Sequence, residues 1–222
     1  METSRSRGPR SPEDEGWDWR REARRMVGSL RLSDPRVARA MEAVPRHDFV
    51  PQGLRAQAYS DEPLPLAPGS TISAPHMVAF QAAWAEVRPG HHVLEMGSGS
   101  GYLLAILAHL AGPTGRVLGI ERDASLVGAA RESLRRSGVA DWTEVRRGDA
   151  RGPFPDGEFH AIVASFSAPA SVVLPWRSHL RPEGRLVVPL TTSRGTRMVR
   201  WCRVGSGYSQ EEGPDCMFVP IQ

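Results

Sequence analysis

Hydrophobic residues recur with a helical spacing at the start of the chain and follow a different pattern after residue 75. In residues 17–30 and 35–44 they return every three or four positions, which predicts two short helices. Residues 45–75 contain six prolines and two glycines and show little periodicity, so we expect a long ordered or semi-ordered loop over the domain. Beyond residue 75 short apolar segments alternate with helical ones, and there the main fold begins.

The alternating part of the chain predicts an α/β fold. Strands are expected at residues 92–96, 116–121, 143–147, 160–165 and 185–190, and helices at residues 75–87, 101–111, 124–137 and 171–180. Strand, helix and strand at this spacing form right-handed crossovers, which produce a mostly parallel sheet. We therefore predict a Rossmann-like, doubly wound sheet with helices on both faces, preceded by a short helical extension and followed by antiparallel strands.

Length and composition indicate one enzyme domain. A chain of 222 residues with 40% hydrophobic content can bury one substantial core. Residues 1–16 contain almost nothing apolar, and we expect a disordered tail there. The remaining residues, 17–222, are expected to form a single domain, with N-terminal helices and a covering loop in 17–90, a ligand-binding core in 91–190 and C-terminal strands in 191–222.

Charge, hydropathy and cysteine usage exclude several classes of partner. The 28 basic and 25 acidic residues are nearly balanced and form no long run of one sign, which argues against nucleic acid. No apolar run approaches the about 18 residues of a membrane span, and no apolar secretory signal is visible, so we expect a soluble, cytoplasmic protein. Cys202 and Cys216 match no zinc or redox spacing, and we expect reduced thiols and no metal. His91 and His92 begin a strand at the end opposite the expected site, which predicts a structural role.

A glycine-rich turn follows the first predicted strand. It consists of Gly97, Ser98, Gly99, Ser100 and Gly101. Glycine lets the backbone turn tightly and lets a ligand approach the main chain, while the helix that follows exposes unpaired N–H groups. The dinucleotide fingerprint needs a glycine three places after its second glycine, and this chain has Tyr102 there. The turn therefore favours a ligand other than NAD, without a pyrophosphate.

Acidic residues stand at the ends of the first three predicted strands. Glu95 precedes the turn, where a carboxylate can accept hydrogen bonds from the loop or bind a cationic amino group through water. Glu121, about twenty residues beyond the turn, can accept from ribose hydroxyls, and Asp149 can accept from an exocyclic adenine amine. Each acid alone could be a solvated strand end. Together they predict a site for a ligand with an ammonium and a sulfonium, and we include the neighbours Arg122 and Ala150 in it.

Several longer motifs resemble those of one enzyme family. They are V-P-R-H-D-F-V-P at 44–51, A-Y-S-D-E-P-L-P-L at 58–66, G-S-T-I-S-A-P-H-M at 69–77, G-R-L-V-V-P at 184–189 and F-V-P at 218–220. Together with the glycine turn they resemble the protein-L-isoaspartate O-methyltransferases, which are class I S-adenosylmethionine-dependent methyltransferases. The resemblance runs from about residue 19 to the C-terminus, and its T-I-S-x-P segment is far more family-specific than the glycine turn.

The resemblance implies an activity, a cofactor and a set of site residues. S-adenosylmethionine would methylate the α-carboxylate of L-isoaspartyl residues in damaged proteins or peptides, and the ester would close to a succinimide that hydrolyses partly to aspartate. The enzyme would be a monomer that needs no metal. Catalysis is implied for Ser73, and cofactor contacts for Ser70, Thr71 and Ile72. Substrate contacts are implied for Thr71, Ile72, Ser73, His76, Ser167 and Ala168.

Ser73 also has a purely structural interpretation. A loop serine at this point can cap the helix that is expected to begin near Pro75. Capping and catalysis can coexist in one hydroxyl group. Both roles therefore stay open for Ser73.

Two segments depart from the family pattern and leave the substrate open. Residues 165–167 read S-F-S where the family usually has small residues before a V-P or I-P pair, and residues 195–197 read G-T-R where it tends to have a glycine-rich stretch and a glutamine. Both border the substrate side in the family. An alternative is therefore a related peptide-tailoring enzyme that methylates an Asp side chain of one dedicated ribosomal peptide to form an aspartimide.

Two other function classes fit the sequence less well. A base methylase would need an acidic or amide residue and a proline pair after the fourth strand, to hold a flipped base, and residues 165–167 offer neither. A nucleotide-binding module without turnover has no need to keep Ser73, Glu95 and Glu121 together. Methyl transfer to a carboxylate therefore remains the favoured interpretation.

Overall fold

The computed structural model describes residues 17–221, so the tail predicted for residues 1–16 lies outside the described residues. Two helices begin the fold, as predicted: α1 (Trp19–Leu30) and α2 (Pro35–Ala43). Each follows an aspartate, Asp18 or Asp34, whose carboxylate accepts backbone N–H groups of the first turn. These N–H groups have no partner within the helix, so the caps stabilise both helix starts.

The segment 45–75 is more ordered than the predicted loop. It contains two 3₁₀ helices and an antiparallel hairpin: Arg46–Phe49, Gln52–Gln57, β1 (Leu64–Ala67) and β2 (Ser70–Ile72). Leu64 and Ile72 lie opposite each other in the hairpin, and both are buried. The ordered or semi-ordered loop predicted for this segment did not include the hairpin, because the prolines hide its two-residue period, although short edge strands tolerate proline.

Strands and helices alternate through the middle of the chain: α3 (Pro75–Ala85), β3 (His92–Met96), α4 (Tyr102–Ala111), β4 (Arg116–Glu121), α5 (Ala124–Arg136), β5 (Thr143–Arg147) and β6 (Phe159–Ala164). The last part contains β7 (Ala168–Pro169), α6 (Ala170–Val173), a 3₁₀ helix (Leu174–His179), β8 (Leu180–Thr192), β9 (Gly195–Val204) and β10 (Gly207–Asp215). The main sheet has the order β10-β9-β8-β6-β3-β4-β5, and β7 pairs with β8. Strands β3 to β6 and β8 pair in parallel, whereas β9 and β10 are antiparallel. The predicted fold class is confirmed.

Two elements of the second half differ from their predictions. The helix predicted at 171–180 is one α-helical turn followed by the 3₁₀ helix, because Pro175 has no N–H for a longer helix. Strand β8 begins at Leu180, well before the predicted residue 185. Its early part was missed because Glu183 has a φ of 61° and the register with β6 shifts there, which interrupts the apolar pattern.

The strand order fixes where a ligand can bind. The chain enters the sheet at β3, adds β4 and β5 on one side, and then adds β6 and β8 on the other. In such sheets the ligand crevice lies outside the carboxyl ends of the strands, where the order reverses. The core lies on both faces: Val93 packs with the first five helices, and Leu94 and Met96 pack on the other face with Trp176. In the part of the chain described, no helix is long and apolar enough to cross a membrane.

Candidate functional site

An open cavity lies at the carboxyl ends of β3, β4 and β5, as the strand order predicts. Its volume is about 1050 Å³ with the solvent space at its mouth included, which is enough for a nucleoside joined to an amino acid. The residues predicted to bind the cofactor line it, apart from one glycine: Ser70, Thr71, Ile72, Glu95, Gly97, Ser98, Gly99, Ser100, Glu121, Arg122, Asp149 and Ala150. Ser73 lines the same cavity, so the β1–β2 hairpin and the glycine turn meet at one site.

The glycine turn brings main chain to the cavity wall. Gly97 and Gly99 have φ values of 76° and 52°, in the left-handed region that favours glycine. A Cβ on Gly97 would lie 2.5 Å from Cδ1 of Phe166. Gly101 instead precedes α4 as its N-cap, and a Cβ there would meet Ala130 of α5 at 3.3 Å. Gly101 thus packs against a helix and lies outside the cavity lining, and the cofactor contact predicted for it stays a prediction.

Glu121 is held in the cavity wall by two backbone groups. Its Oε2 accepts the N–H of Gly99 at 2.8 Å, and its Oε1 accepts the N–H of Asp123 at 2.9 Å. Only 8% of the residue is exposed. A carboxylate has about four lone-pair sites, so acceptor capacity remains for a ligand. Glu121 therefore fixes the glycine turn and still presents the acceptors predicted for ribose hydroxyls.

Glu95 is buried beneath the turn, and only one of its oxygens has a hydrogen-bond partner among residues 17–221. Oγ of Ser165 donates to Oε1 at 2.6 Å, while Oε2 has no partner. Burial raises the pKa of Glu95 to about 8. The Ser165 hydrogen bond and the nearby backbone N–H of Leu104 oppose this rise, and the charge of Glu121 adds to it. A cation in the cavity would favour the ionised form of this carboxyl group, in which both oxygens are hydrogen-bond acceptors.

Asp149 follows β5 and is exposed at the rim of the cavity. Arg151 donates to its carboxylate from Nη2 at 2.9 Å and from the backbone N–H at 2.8 Å. These hydrogen bonds hold the pKa of Asp149 at about 2, so the group is an ionised acceptor at neutral pH. Because Arg151 occupies part of the carboxylate, fewer lone pairs remain for an adenine amine.

Ser73 follows β2 and is half-buried in the cavity wall. Its carbonyl oxygen accepts a hydrogen bond of 3.0 Å from Nη2 of Arg46. Arg46 is fully buried, donates from Nε to the carbonyl of Ala58 at 2.7 Å, and lies 4.7 Å from the ring centroid of Tyr102. Since Tyr102 begins the helix that follows the glycine turn, Arg46 links the Ser73 segment to that turn.

The helix after Ser73 is capped by a different residue. Ala74 occupies the N-cap position and makes no side-chain hydrogen bond there. Oδ1 of Asp61 accepts the backbone N–H of His76 at 2.9 Å and lies 2.9 Å from its Nδ1. The cap interpretation of Ser73 is therefore wrong. The imidazole of His76 is held by Asp61 outside the cavity lining, and the substrate contact predicted for this residue stays a prediction.

Ser167 and Ala168 are buried behind the cavity wall, at 3% and 1% exposure. The N–H of Ser167 donates to the carbonyl of Val219 at 2.9 Å, and its carbonyl accepts the N–H of Ile221 at 2.8 Å. These bonds fix the C-terminal segment, so that Val219, Pro220 and Ile221 line the cavity. The substrate contacts predicted for Ser167 and Ala168 are corrected: the first positions the wall through its main chain, and the second packs in the core.

Several other residues that line the cavity had no ligand contact predicted from the sequence: Gln81, Ser165, Phe166, Val219 and Pro220. Two signals were visible, since Phe166 departs from the family pattern and residues 219–220 belong to the F-V-P motif. Gln81 gave a weaker signal as a polar residue within an apolar helical segment, because such residues are buried only with a partner.

A histidine cluster lies at the opposite end of the sheet. His91 stacks on His160 with ring centroids 4.2 Å apart, and burial, with nearby positive groups, lowers the pKa of His91 to about 4. Within residues 17–221 no three His, Cys, Asp or Glu side chains are grouped to hold a metal ion. Cys202 and Cys216 are both free thiols.

Comparison with known proteins points to one family. A sequence model of the protein-L-isoaspartate(D-aspartate) O-methyltransferases (PCMT) matches residues 24–222. A Methanopyrus kandleri protein named protein-L-isoaspartate O-methyltransferase is 42% identical over 177 residues, which are 78% of this chain and 78% of the relative. A Hyperthermus butylicus protein of the same name is 38% identical over 219 residues, which are 92% of this chain and 90% of the relative.

Solved structures with the same chain path support the fold. A Plasmodium falciparum protein, described as a proposed protein-L-isoaspartate O-methyltransferase in complex with S-adenosyl-L-homocysteine, superposes with a TM-score of 0.78 at 24% identity and covers 90% of this chain and 98% of its own. A second structure named protein-L-isoaspartate O-methyltransferase has a TM-score of 0.78 at 23% identity and covers 91% of this chain and 66% of its own. At these identities the likeness concerns the arrangement of sheet and helices.

Proposed function

The chain belongs to the protein-L-isoaspartate(D-aspartate) O-methyltransferase family, and we propose that it transfers a methyl group from S-adenosylmethionine to the α-carboxylate of L-isoaspartyl residues in damaged proteins or peptides. The methyl ester then closes to a succinimide, which hydrolyses in part to aspartate. One observation carries the proposal: the Ser70 to Ser73 segment, which bears the family-specific motif, lines the same cavity as the glycine turn, Glu95 and Glu121.

The polar groups of the cavity fit S-adenosylmethionine. Glu121 offers acceptors to ribose hydroxyls beside the main chain of the glycine turn, and Asp149 offers one at the rim to the adenine amine. Oε2 of Glu95 and Oγ of Ser98 are buried and have no partner within residues 17–221. Buried polar atoms are rarely left unpaired in native proteins, so their position in this cavity supports a ligand that pairs with them.

The chain has to position a nucleophile that is already ionised. S-adenosylmethionine supplies an electrophilic methyl group on its sulfonium, and the isoaspartyl carboxylate has an ordinary pKa of about 4, so no strong general base is needed. The hydroxyl of Ser73 and the neighbouring backbone N–H groups of Thr71 and Ile72 are proposed to orient the carboxylate oxygen. Correct orientation of two reactants can supply on the order of 7 to 11 kcal/mol of the barrier.

The walls of the cavity also keep water away from the reacting atoms. Leu66, Ile72, Phe166, Val219 and Ile221 contribute apolar surface to the lining. A dry site strengthens the hydrogen bonds that hold the carboxylate and removes competing solvation of its oxygen. Arg46 keeps Ser73 in register with the glycine turn through its carbonyl contact. On this proposal the enzyme acts as a cytoplasmic monomer on isoaspartyl proteins or peptides, and the free thiols support a reducing compartment.

Three matched peptides test the proposal. The purified chain is incubated with methyl-labelled S-adenosylmethionine and a peptide that contains L-isoaspartate, its L-aspartate twin or its asparagine twin. We expect a methyl ester on the isoaspartyl peptide alone, measured by mass spectrometry. Ester on the aspartyl peptide alone, or only on one dedicated peptide, would support the tailoring activity instead. That alternative is motivated by Phe166, whose ring lies beside the glycine turn.

A further inference from the structure

Gln81 is a fully buried polar residue for which the proposed function has no role yet. It lies in α3, whose sequence is otherwise largely apolar, and it is 0% exposed. Together with Val78, one turn earlier in the helix, it lines the cavity. A buried side-chain amide normally satisfies its donors and its acceptor, so the partners of Gln81 identify what it does.

In the side-chain amide of Gln81 the nitrogen has a hydrogen-bond partner and the oxygen has none within residues 17–221. Nε2 donates to the carbonyl of Ala164, at the end of β6, with a distance of 2.7 Å. The opposite assignment of the amide would place two oxygens against each other, so this hydrogen bond sets the orientation. Oε1 has no hydrogen-bond partner within residues 17–221. The free atom of Gln81 is therefore an acceptor that needs a donor.

Glu95 provides a second acceptor without a partner, and its carboxyl group is held by Ser165. Ser165, which follows Ala164, donates from Oγ to Oε1 of Glu95, and Oε2 of Glu95 has no partner in the described residues. Gln81 and Glu95 are thus hydrogen-bonded to consecutive residues, Ala164 and Ser165, and both line the cavity. No hydrogen bond joins Gln81 to Glu95 in the described structure, so neither residue satisfies the other.

The local charge determines what kind of group fits between these acceptors. Glu95 and Glu121 both line the cavity, and the carboxylate of Glu121 is held in place by backbone N–H groups. A ligand group with several N–H donors and a positive charge satisfies two acceptors at once and favours the ionised form of a buried carboxyl group. A primary ammonium has these properties, whereas a carboxylate or a phosphate has neither.

We propose that Gln81 is a further cofactor-binding residue, whose Oε1 accepts a hydrogen bond from the α-ammonium of the methionine part of S-adenosylmethionine. The inference rests on the proposed function for the identity of the ligand. Gln81 and Glu95 together hold the ammonium, and the bond to Ala164 keeps the amide from turning its N–H groups toward the positive charge.

The test compares two ligands that differ only in the amino group. Dissociation constants are measured by calorimetry for S-adenosyl-L-homocysteine and for its deamino analogue, in which hydrogen replaces the ammonium. Gln81→Met is expected to weaken S-adenosyl-L-homocysteine about tenfold, as for one hydrogen bond to a charged group, and to change the affinity of the deamino analogue less than about twofold. Val78→Ala is the matched control on the same helix face, and it should weaken both ligands equally because it removes packing only.

A second variant keeps the test informative if Gln81→Met folds poorly, which thermal unfolding reveals. In Gln81→Glu a protonated carboxyl can donate to Ala164 and still offer a carbonyl acceptor, so this variant should retain preference for the amine-bearing ligand. Equal losses for both ligands, or an unchanged affinity for S-adenosyl-L-homocysteine, would each overturn the inference. The calorimetric assay contains no peptide, so it does not depend on the proposed substrate. If the wild-type chain binds S-adenosyl-L-homocysteine but methylates no isoaspartyl peptide, only the proposed substrate is contradicted. A wild-type chain that binds neither ligand contradicts the cofactor assignment and this inference with it.

Discussion

Replacing Ser73 with alanine tests the residue to which the family resemblance assigns catalysis. The structure sharpens this test because Ser73 lines the cavity while Asp61 satisfies the N–H group at the start of α3. The anchoring contact to Ser73 is made by its backbone carbonyl, which accepts from Arg46 and is unaffected by the substitution. Ser73→Ala therefore removes a hydroxyl from the site and leaves the local fold in place.

The size of the effect follows from the hydroxyl's proposed partner. A hydrogen bond to a charged group contributes about 1.5 to 3 kcal/mol, which corresponds to a loss of turnover between about tenfold and 150-fold. Oxyanion holes lose about 2.7 to 4 kcal/mol per donor, but there charge develops on oxygen, whereas here it disperses as the methyl arrives. We therefore expect Ser73→Ala to raise the barrier by about 1.5 to 3 kcal/mol, the lower of the two ranges.

Stability gives the contrasting measurement. Asp61→Ala removes the capping acceptor of α3, which costs about 0.5 to 2 kcal/mol and lowers the Tm by about 1 to 8 °C in a domain of this size. Ser73→Ala should leave the Tm within about 1 °C of the wild type on the same scale. Its affinity for S-adenosyl-L-homocysteine should also stay close to that of the wild type, because the hydroxyl acts on the substrate carboxylate.

The assay measures three quantities on each variant: thermal unfolding, calorimetric binding of S-adenosyl-L-homocysteine, and single-turnover methylation of an isoaspartyl peptide well below the Tm. Single-turnover rates separate the chemical step from product release. If Ser73→Ala lost as much stability as Asp61→Ala and kept turnover within about twofold, Ser73 would be a structural residue and its catalytic assignment would fail.

Two acidic residues give further predictions. Glu121→Ala should weaken S-adenosyl-L-homocysteine at least about tenfold, because ribose loses a charged acceptor and the glycine turn loses its anchor; unchanged calorimetric affinity in a folded variant would remove Glu121 from the site. Glu95 has its pKa raised from 4.5 to about 8, so its contribution to stability is complete below about pH 4.5 and is lost as the pH rises through about 8. The Tm of Glu95→Gln minus that of the wild type should therefore increase from pH 5 to pH 8 in thermal unfolding without ligand, and a constant difference would contradict the raised pKa.

The central strands could be predicted from the sequence because their signals are local. The predicted residues 92–96, 116–121 and 143–147 match β3, β4 and β5. In β3 and β4 the signal is a buried apolar run that ends at a glycine or an acidic residue. The edge strand β5 has only Val145 buried, and it was predicted from the alternation of strands and helices. The glycine turn was predictable for the same reason, since left-handed φ values at Gly97 and Gly99 are a property of the residue type.

Elements and contacts that depend on distant residues were not predictable in this way. The β1–β2 hairpin relies on burial of Leu64 and Ile72 beneath the rest of the domain, and no local period shows it. The motif around Ser73 indicated a site but could not show which of its side chains face the cavity. His76 turns to Asp61, and Ser167 uses its main chain to fix the C-terminal wall. Such orientations are decided by tertiary packing rather than by sequence spacing.

The buried position of Gln81 can be predicted from the sequence, but its hydrogen-bond partners cannot. Its position three residues after Val78 and four before Ala85 places it on the buried face of α3, where a polar side chain conflicts with the apolar pattern. Such conflicts are expected at functional sites, but the sequence cannot tell a partner in the chain from a ligand. Ala164, which is 83 residues away, takes the donor of the amide and leaves its acceptor free. The same strand end leaves one oxygen of Glu95 unpaired, so two unsatisfied acceptors raise the free energy of the unliganded site, and a cationic ligand that pairs with both recovers that free energy on binding.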